Sequence, residues 1–336
     1  MPPLLERLGV ELPVVQAGMG GGLSRHELAA AVSEAGGLGT IAVNGAAAIR
    51  RELAAARTLT GRPLAVNVLL PFARRDWFEA AAAADVVVTF WGKPRRRTPG
   101  VWLHQVGSLA EAREAQAAGA DGVIVQGVEA GGHVRGTTPA LELLEQVRAA
   151  LSRGYPLLLA GGVAEPADVH TALEAGATAA VAGTRFLLSE ESRAHALYKD
   201  RLLAADETLL TDLFGAAWPA PHRVVPNAAT ARVLGRRSSF QGLYRGKDER
   251  HPFLRAPSAN RALNRVLAPG ARYTPSSLQL RMMRGQRPGG RLLTPAGPTD
   301  DGPATLVDAG ALYAGETVAR IDTVRPAADL VRELSG

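Results

Sequence analysis

Eight short apolar runs between Val14 and Ala182, most of them separated by helical patterns, constrain this chain more than any other feature. They are Val14–Gln16, Leu38–Ala42, Leu64–Leu70, Val86–Phe90, Val101–Val106, Gly122–Gln126, Pro156–Ala160 and Ala179–Ala182. Most are near-continuously hydrophobic, as parallel strands covered on both faces must be. Helices are predicted over His26–Glu34, Ala46–Leu59, Arg74–Ala84, Leu109–Ala118, Thr138–Leu151, Glu165–Glu174 and Glu190–Ala204. Ser24 is the expected N-cap of the first, with Glu27 at capping-box spacing and Gly36-Gly37 as the stop. Ser108 is expected to cap the helix that begins at Leu109.

Repeated βα units give an α/β chain, and eight strands favour a (β/α)₈ TIM barrel over a doubly wound sheet. Gly18-Met19-Gly20-Gly21-Gly22 is glycine-rich but lacks the placed acidic residue of a dinucleotide fingerprint. One connection departs from the pattern. Trp91–Gly100 holds three arginines and two prolines and has no room for a crossover helix. After Trp218 the strand periodicity weakens and Pro, Arg and Asn cluster. The expected organisation is a barrel over residues 1–218, a smaller, mostly helical cap over 219–298, and a segment over 299–336 that returns to the barrel, with a last helix near Pro326–Leu334.

Composition narrows the chemistry. The 336 residues include no cysteine, which removes thiolate nucleophiles, iron–sulfur ligation and cysteine-bound zinc. The net charge of +6 suits phosphate-bearing ligands. The basic residues are scattered apart from short runs such as Lys93-Pro94-Arg95-Arg96-Arg97, and no nucleic-acid signature accompanies them. No nucleic-acid partner is expected. No apolar segment has the length of a membrane span, and MPPLLERLGVELP lacks a signal-peptide pattern, so no membrane partner and a cytoplasmic location are the expectations.

In barrels of this kind the residues after the strand ends surround the active site. Here those ends read Gln16-Ala17-Gly18-Met19-Gly20, then Gln126-Gly127-Val128-Glu129-Ala130-Gly131-Gly132-His133, Ala160-Gly161-Gly162-Val163 and Ala182-Gly183-Thr184-Arg185-Phe186. The last two suit a phosphate, since glycine lets backbone amides approach it and Thr184 adds a hydroxyl. Arg185 has two readings, a phosphate partner or a structural ion pair. Asn67 and Gln126 lie in apolar strands and need hydrogen-bond partners, from a ligand or from neighbouring backbone. His133, after two glycines, is the candidate proton-transfer group, and a loop histidine bonded to one carbonyl is the competing reading. His104 and His170 sit in less constrained sequence. Glu129 either orients a nearby donor or faces water, and Trp91 and Trp102 either narrow the mouth or pack in the core or rim.

At these residues the chain resembles the nitronate monooxygenase family, formerly the 2-nitropropane dioxygenases. The likeness runs through Gln16–Gly20, Ala35–Gly39, the Asn67 strand, Gln105–Ser108, Asp121–His133, Leu159–Val163, Gly183–Ser192 and Leu312–Gly315, almost the whole chain. One departure is Val134-Arg135-Gly136, where many relatives carry arginine directly after the histidine. The resemblance implies a barrel that holds FMN, with a smaller domain over its mouth and no metal. It implies that Gly18 and Met19 lie beside the isoalloxazine and that Asn67 and Gln126 contact it. Gly131, Gly162, Gly183 and Thr184 would complete the shell, Val181 and Ala182 would supply backbone positions, and His133 would match the catalytic histidine. The implied reaction is oxidation of an alkyl nitronate by O2 to a carbonyl compound with release of nitrite or a related product. For a neutral nitroalkane, His133 would first take the α-proton. A flavin-dependent NAD(P)H enoyl-thioester or quinone reductase is the alternative, and an FMN-binding sensor or scaffold is a third class. The sequence leaves the physiological substrate open and is compatible with a homo-oligomer.

Overall fold

The computed structural model describes residues 2–216, 218, 220–234, 281–283, 285–290 and 293–336. Most of the expected cap over 219–298 therefore lies outside the described residues. The chain divides into two compact units. The first holds Met1–Ala130, Val134–Arg193 and Arg320–Gly336, and the second holds Gly131–His133 and Ala194–Ala319.

In the first unit, helix α1 (Pro3–Leu8) precedes strand β1 (Val14–Gln16). There follow α2 (His26–Glu34), β2 (Gly39–Ile41), α3 (Ala46–Leu59), β3 (Leu64–Leu69), α4 (Arg75–Ala81) and β4 (Val86–Phe90). Next come β5 (Val101–Val106), α5 (Leu109–Ala117) and β6 (Gly122–Gln126). The two-residue β7 (Gly132–His133) belongs to the second unit. The first unit resumes with α6 (Ala140–Ala150), β8 (Leu157–Ala160), α7 (Pro166–Glu174), β9 (Ala179–Ala182) and the single turn α8 (Thr184–Leu187).

The eight barrel strands pair in parallel in the order β1-β9-β8-β6-β5-β4-β3-β2. A parallel bridge between Val15 and Leu38 joins the two ends of the sheet. This is a (β/α)₈ TIM barrel, nearly closed and surrounded by helices. Its strands alternate between two cores, as period-2 side chains dictate. Val86, Val88, Leu103, Ile124, Leu158 and Val181 fill the interior. Trp102, Val106, Val123, Val125, Leu157 and Leu159 pack into the outer layer with the helices.

Three local expectations are corrected. Ser24 does not cap α2. Its hydroxyl donates to the Met19 carbonyl (3.3 Å) and accepts from the Met19 amide (3.1 Å), closing the glycine-rich turn. The N-cap position falls on Arg25, and buried Glu52 of α3 instead accepts from the His26 amide at 3.4 Å. The segment from Glu190 is not helical from its start. A bridge from Ser189 to Arg325 holds it extended, so the helix there begins only at Ala196. Val134 onward also carries no helix until Ala140, two residues later than the pattern predicts. Ser108 caps α5 as expected, accepting from the Glu111 amide.

The short fourth crossover is a non-helical loop, and side chains do the covering that a helix does elsewhere. Arg96 donates to the Gly119 carbonyl (2.6 Å) and pairs with Asp121 (2.7 Å), with its guanidinium 5.7 Å from the Trp102 ring. Trp102 is buried, and its indole N–H donates to Thr89 Oγ1, which is itself hydrogen-bonded to His104 Nδ1, both at 2.7 Å. Trp102 is thus core.

The second unit contains an antiparallel sheet in the order β10 (Leu209–Thr211), β11 (His222–Val224), β7. Helices α9 (Ala196–Leu203), α10 (Ala228–Leu234) and α11 (Leu306–Ala309) accompany it. The last helix, α12 (Ala327–Ser335), returns to the first unit, where Leu330, Val331 and Leu334 join the outer core. None of the described helices is long and apolar enough to cross a membrane.

Candidate active site

The barrel strand ends carry most of the glycine-rich positions. At the end of β1, a Cβ on Gly18 would sit 2.5 Å from Asn67 Cβ, closer than any real contact, so the backbone there admits only glycine. Asn67 Nδ2 donates to the Gly18 carbonyl at 3.2 Å. Its Oδ1 is buried with no hydrogen-bond partner among the described residues. An amide oxygen left so is costly, by roughly 1–3 kcal/mol, unless something else bonds it. Gln126 is buried at the end of β6, and its Oε1 accepts from the Arg135 amide at 3.1 Å. Met19 is partly buried against the outer core.

After β8, Gly161 and Gly162 both take left-handed conformations (φ +105° and +77°) that favour glycine. Arg320 braces this turn. It donates to the Gly162 carbonyl at 3.2 Å and pairs with Asp168 (2.9 Å) and Glu165 (2.8 Å), the two residues of the α7 capping box. At the end of β9 and just beyond it, Val181, Ala182 and Thr184 are buried. Gly183 has neither a positive φ nor a crowded Cβ position, since the nearest atom would be Ala17 Cβ at 3.6 Å. Among the described residues nothing crowds a side chain there. Arg185 does not point to a phosphate role: it is buried and donates to the carbonyls of Thr323 (2.5 Å) and Leu188 (3.4 Å). Glu129 accepts from the Ala140 amide through both oxygens (2.9 and 3.1 Å), so it caps α6.

His26, Glu27 and Glu52 form a group of metal-ligand type on the same unit. Arg51 and Arg193 pair with its two carboxylates, and Glu52 lies 2.6 Å from His26 Nδ1. Burial opposes the charge on Glu52, but the hydrogen bonds from His26 and Arg51 hold its carboxyl below the ordinary value. The group works as a brace between α2 and α3.

In the second unit, His133 lies at the centre of a cluster of rings. It stacks on Trp218 at 3.9 Å between centroids, with 24° between planes. His222 is 5.4 Å away and Tyr313 is 5.5 Å away. The antiparallel register sets this: His222 pairs with His133, and Val224 bridges Tyr313. Gly131 is glycine because a Cβ would fall 2.5 Å from the backbone of Ala314 and Gly315. Burial, helped by His222, pushes the His133 pKa well below the ordinary histidine value, so the ring is neutral at pH 7. His222 is pushed down to about 4 by burial. Its Nδ1 donates to the Ala220 carbonyl (2.9 Å) and its Nε2 accepts from the Phe214 amide (3.2 Å), so both nitrogens are committed to backbone. His104 is committed to Thr89, and His170 is a surface partner of Glu174. Sequence reasoning missed Trp218, His222, Tyr313 and Arg320 as neighbours of candidate positions. Only Tyr313 lay in a segment the motifs had singled out.

Comparison with known proteins places this arrangement. The nitronate monooxygenase family model matches residues 2–93 and 95–336. A nitronate monooxygenase of Pseudomonas aeruginosa is 33% identical over 286 residues, 67% of this chain and 81% of that protein. A (3aS,4S,5R,7aS)-5-hydroxy-7a-methyl-1-oxo-octahydro-1H-indene-4-carboxyl-CoA dehydrogenase of Mycobacterium tuberculosis is 34% identical over 243 residues, 66% of this chain and 65% of that protein. Among solved structures, FabK from Thermotoga maritima superposes with a TM-score of 0.74 at 25% identity, covering 99% of this chain and 94% of that one. A nitroalkane oxidase from Streptomyces ansochromogenes gives 0.69 at 29% identity, over 96% and 94% of the two chains. The family match over nearly every residue, with barrel relatives at both levels, means that this chain belongs to the nitronate monooxygenase family of flavin-linked oxidoreductases.

Proposed function

We propose that the protein binds FMN at the barrel strand ends and oxidises alkyl nitronates or nitroalkanes with O2, with His133 as the base for the α-proton. The residues proposed to hold FMN are Gly18, Met19, Asn67, Gln126, Gly162, Val181, Ala182, Gly183 and Thr184. Two observations support the cofactor: the buried Asn67 Oδ1 without a partner among the described residues, and an uncrowded glycine at 183 that leaves room for a ligand. Gly131, also expected in the shell, has a packing reason of its own against Ala314.

The observation that carries the catalytic reading is the half-buried His133 imidazole stacked on Trp218, whose surroundings hold its pKa below the ordinary histidine value. A base must be unprotonated before it acts, and burial keeps this one so at neutral pH. The apolar ring face also suits an uncharged nitroalkane. When bound, FMN supplies the electron acceptor for oxidation of the carbon. His133 takes the α-proton of a neutral substrate, whereas an ionised nitronate bypasses that step. His222 cannot substitute, because both its nitrogens are held by backbone.

A second reading keeps the flavin and changes the substrate. Relatives named as carboxyl-CoA dehydrogenases favour a thioester, and the activity of this second reading is then that of an NAD(P)H enoyl-thioester or quinone reductase. Titrating the purified protein with a nitronate in air, without NAD(P)H, separates the two. A flavin spectrum, oxygen uptake and nitrite release are expected. A flavin spectrum without turnover, combined with rapid anaerobic reduction by NAD(P)H, would transfer the assignment to the reductase.

A further inference from the structure

Tyr313 is a ring neighbour of His133 whose polar group the described residues leave unused. Its hydroxyl oxygen is buried and has no hydrogen-bond partner among the described residues. The groups around it are committed elsewhere. His222 gives its nitrogens to Ala220 and Phe214, and the Tyr198 hydroxyl donates to the Tyr313 carbonyl at 2.7 Å. That last bond fixes the Tyr313 backbone rather than its hydroxyl. The Ala314 amide donates to the Arg223 carbonyl, and the Val225 amide donates to the Leu312 carbonyl at 2.7 Å, so the residue is pinned on both sides. Gly131 has no side chain, which lets the 314–315 backbone lie close enough to bring the Tyr313 ring within 5.5 Å of His133. A rigid backbone thus holds a phenol beside the imidazole, 6.0 Å from His222, without giving its hydroxyl an acceptor among the described residues. Burial also raises the phenol well above its ordinary range, so it remains a donor at any working pH.

We propose that the Tyr313 hydroxyl donates a hydrogen bond to the substrate oxygen that gains negative charge when the adjacent α-carbon loses its proton. This rests on the proton-abstraction reading of His133. In that step the C–H bond breaks, its proton goes to the His133 ring, and its electron pair forms a double bond to the neighbouring atom. Charge moves onto the oxygen, and Tyr313 stabilises it without giving up its own proton. The assignment defines the substrate class more tightly than a base alone does: an acidic carbon one atom away from an oxygen-bearing acceptor, as in a nitroalkane.

The test compares Tyr313→Phe and His133→Ala holoenzymes with the native one. Phenylalanine keeps the ring and removes an unbonded hydroxyl, so Tm and FMN content are expected to be unchanged. With neutral nitroethane, kcat/KM is expected to fall about 100-fold in Tyr313→Phe. With the same compound supplied as its nitronate, the loss is expected to be about tenfold and to lie mainly in KM. Binding of nitrite, a planar anion with two oxygens, read from the flavin absorbance shift, is expected to weaken by about tenfold. Native kinetics and native nitrite affinity in Tyr313→Phe, alongside an inactive His133→Ala, would overturn the Tyr313 assignment and leave the base intact. A lowered Tm in Tyr313→Phe would also overturn it, because it would give the hydroxyl a structural role. Full activity of His133→Ala on neutral nitroethane would instead remove the reading on which the proposal rests.

Discussion

The barrel and the small antiparallel sheet handle their polar groups in opposite ways. In the barrel, polar side chains near the strand ends are largely spent on architecture. Glu129 caps α6, Arg185 holds the Thr323 carbonyl, Arg320 braces the Gly161–Gly162 turn, and His104 bonds Thr89. What remains there is a glycine backbone and, on Asn67, an amide oxygen with no partner among the described residues. In the small sheet, strands of two and three residues carry a half-buried and a buried histidine side by side, together with a tryptophan and a tyrosine hydroxyl that has no partner among the described residues. In the proposed function the first region is the one a ligand approaches, and the second presents side chains to it. A cofactor and a proton acceptor ask for these two different kinds of surface.

Acid is the strongest way to probe the contrast. A histidine whose native pKa lies below its unfolded value of about 6.5 binds a proton only after unfolding. The resulting stability is complete above pH 6.5 and is lost as pH falls towards the native pKa. His104 in the barrel and His222 in the sheet are both pushed down to about 4 by burial, which corresponds to about 3 kcal/mol each. The second unit adds His133, shifted the same way. Between pH 6.5 and 4 it is therefore expected to lose more stability than the barrel. Hydrogen exchange resolved by unit, at pH 7 and pH 4.5, measures this. Equal loss in both units would erase the distinction.

Two glycines sharpen it further. Gly18→Ala drives a Cβ into Asn67 and is expected to cost about 1–3 kcal/mol in the protein free of cofactor, measured by urea unfolding. Gly183→Ala meets only ordinary contact, so its stability without cofactor is expected to change by less than about 0.5 kcal/mol. Its FMN affinity, read by fluorescence quenching, is expected to drop at least tenfold. Native FMN affinity in Gly183→Ala would show that the β9 end is an ordinary turn. The smallest effect belongs to Glu129→Ala, which removes the α6 cap at a cost of about 1 kcal/mol in stability, with kinetics on nitronate preserved.

The same contrast explains what could be read from the sequence. The barrel strands were legible because strands buried on both faces leave continuous apolar runs, and all eight fall where those runs lie. The glycine-rich ends were legible because glycine next to a strand is a backbone statement. Strands β7, β10 and β11 were not legible, since two or three residues show no periodicity. The ring cluster depends on them. Register across β11 brings together His133, His222 and Tyr313, which lie far apart in the chain. Ser24 misled for a related reason: a serine before a helix can bond a turn as readily as an N-terminus, and here the turn won. The fourth crossover was correctly short of a helix, but that Arg96 and Trp102 would fill its place depends on tertiary packing that no local pattern signals.

The central claim is that a neutral, half-buried His133 removes the α-proton. It is tested most directly by comparing His133→Ala with native enzyme on nitroethane and on its preformed nitronate, together with the isotope effect of α-deuteration. The account predicts a loss of about 10³-fold on nitroethane with near-native turnover of the nitronate, and a primary isotope effect in the native enzyme on the neutral substrate alone. Equal losses on both substrates, or native activity on nitroethane, would contradict it.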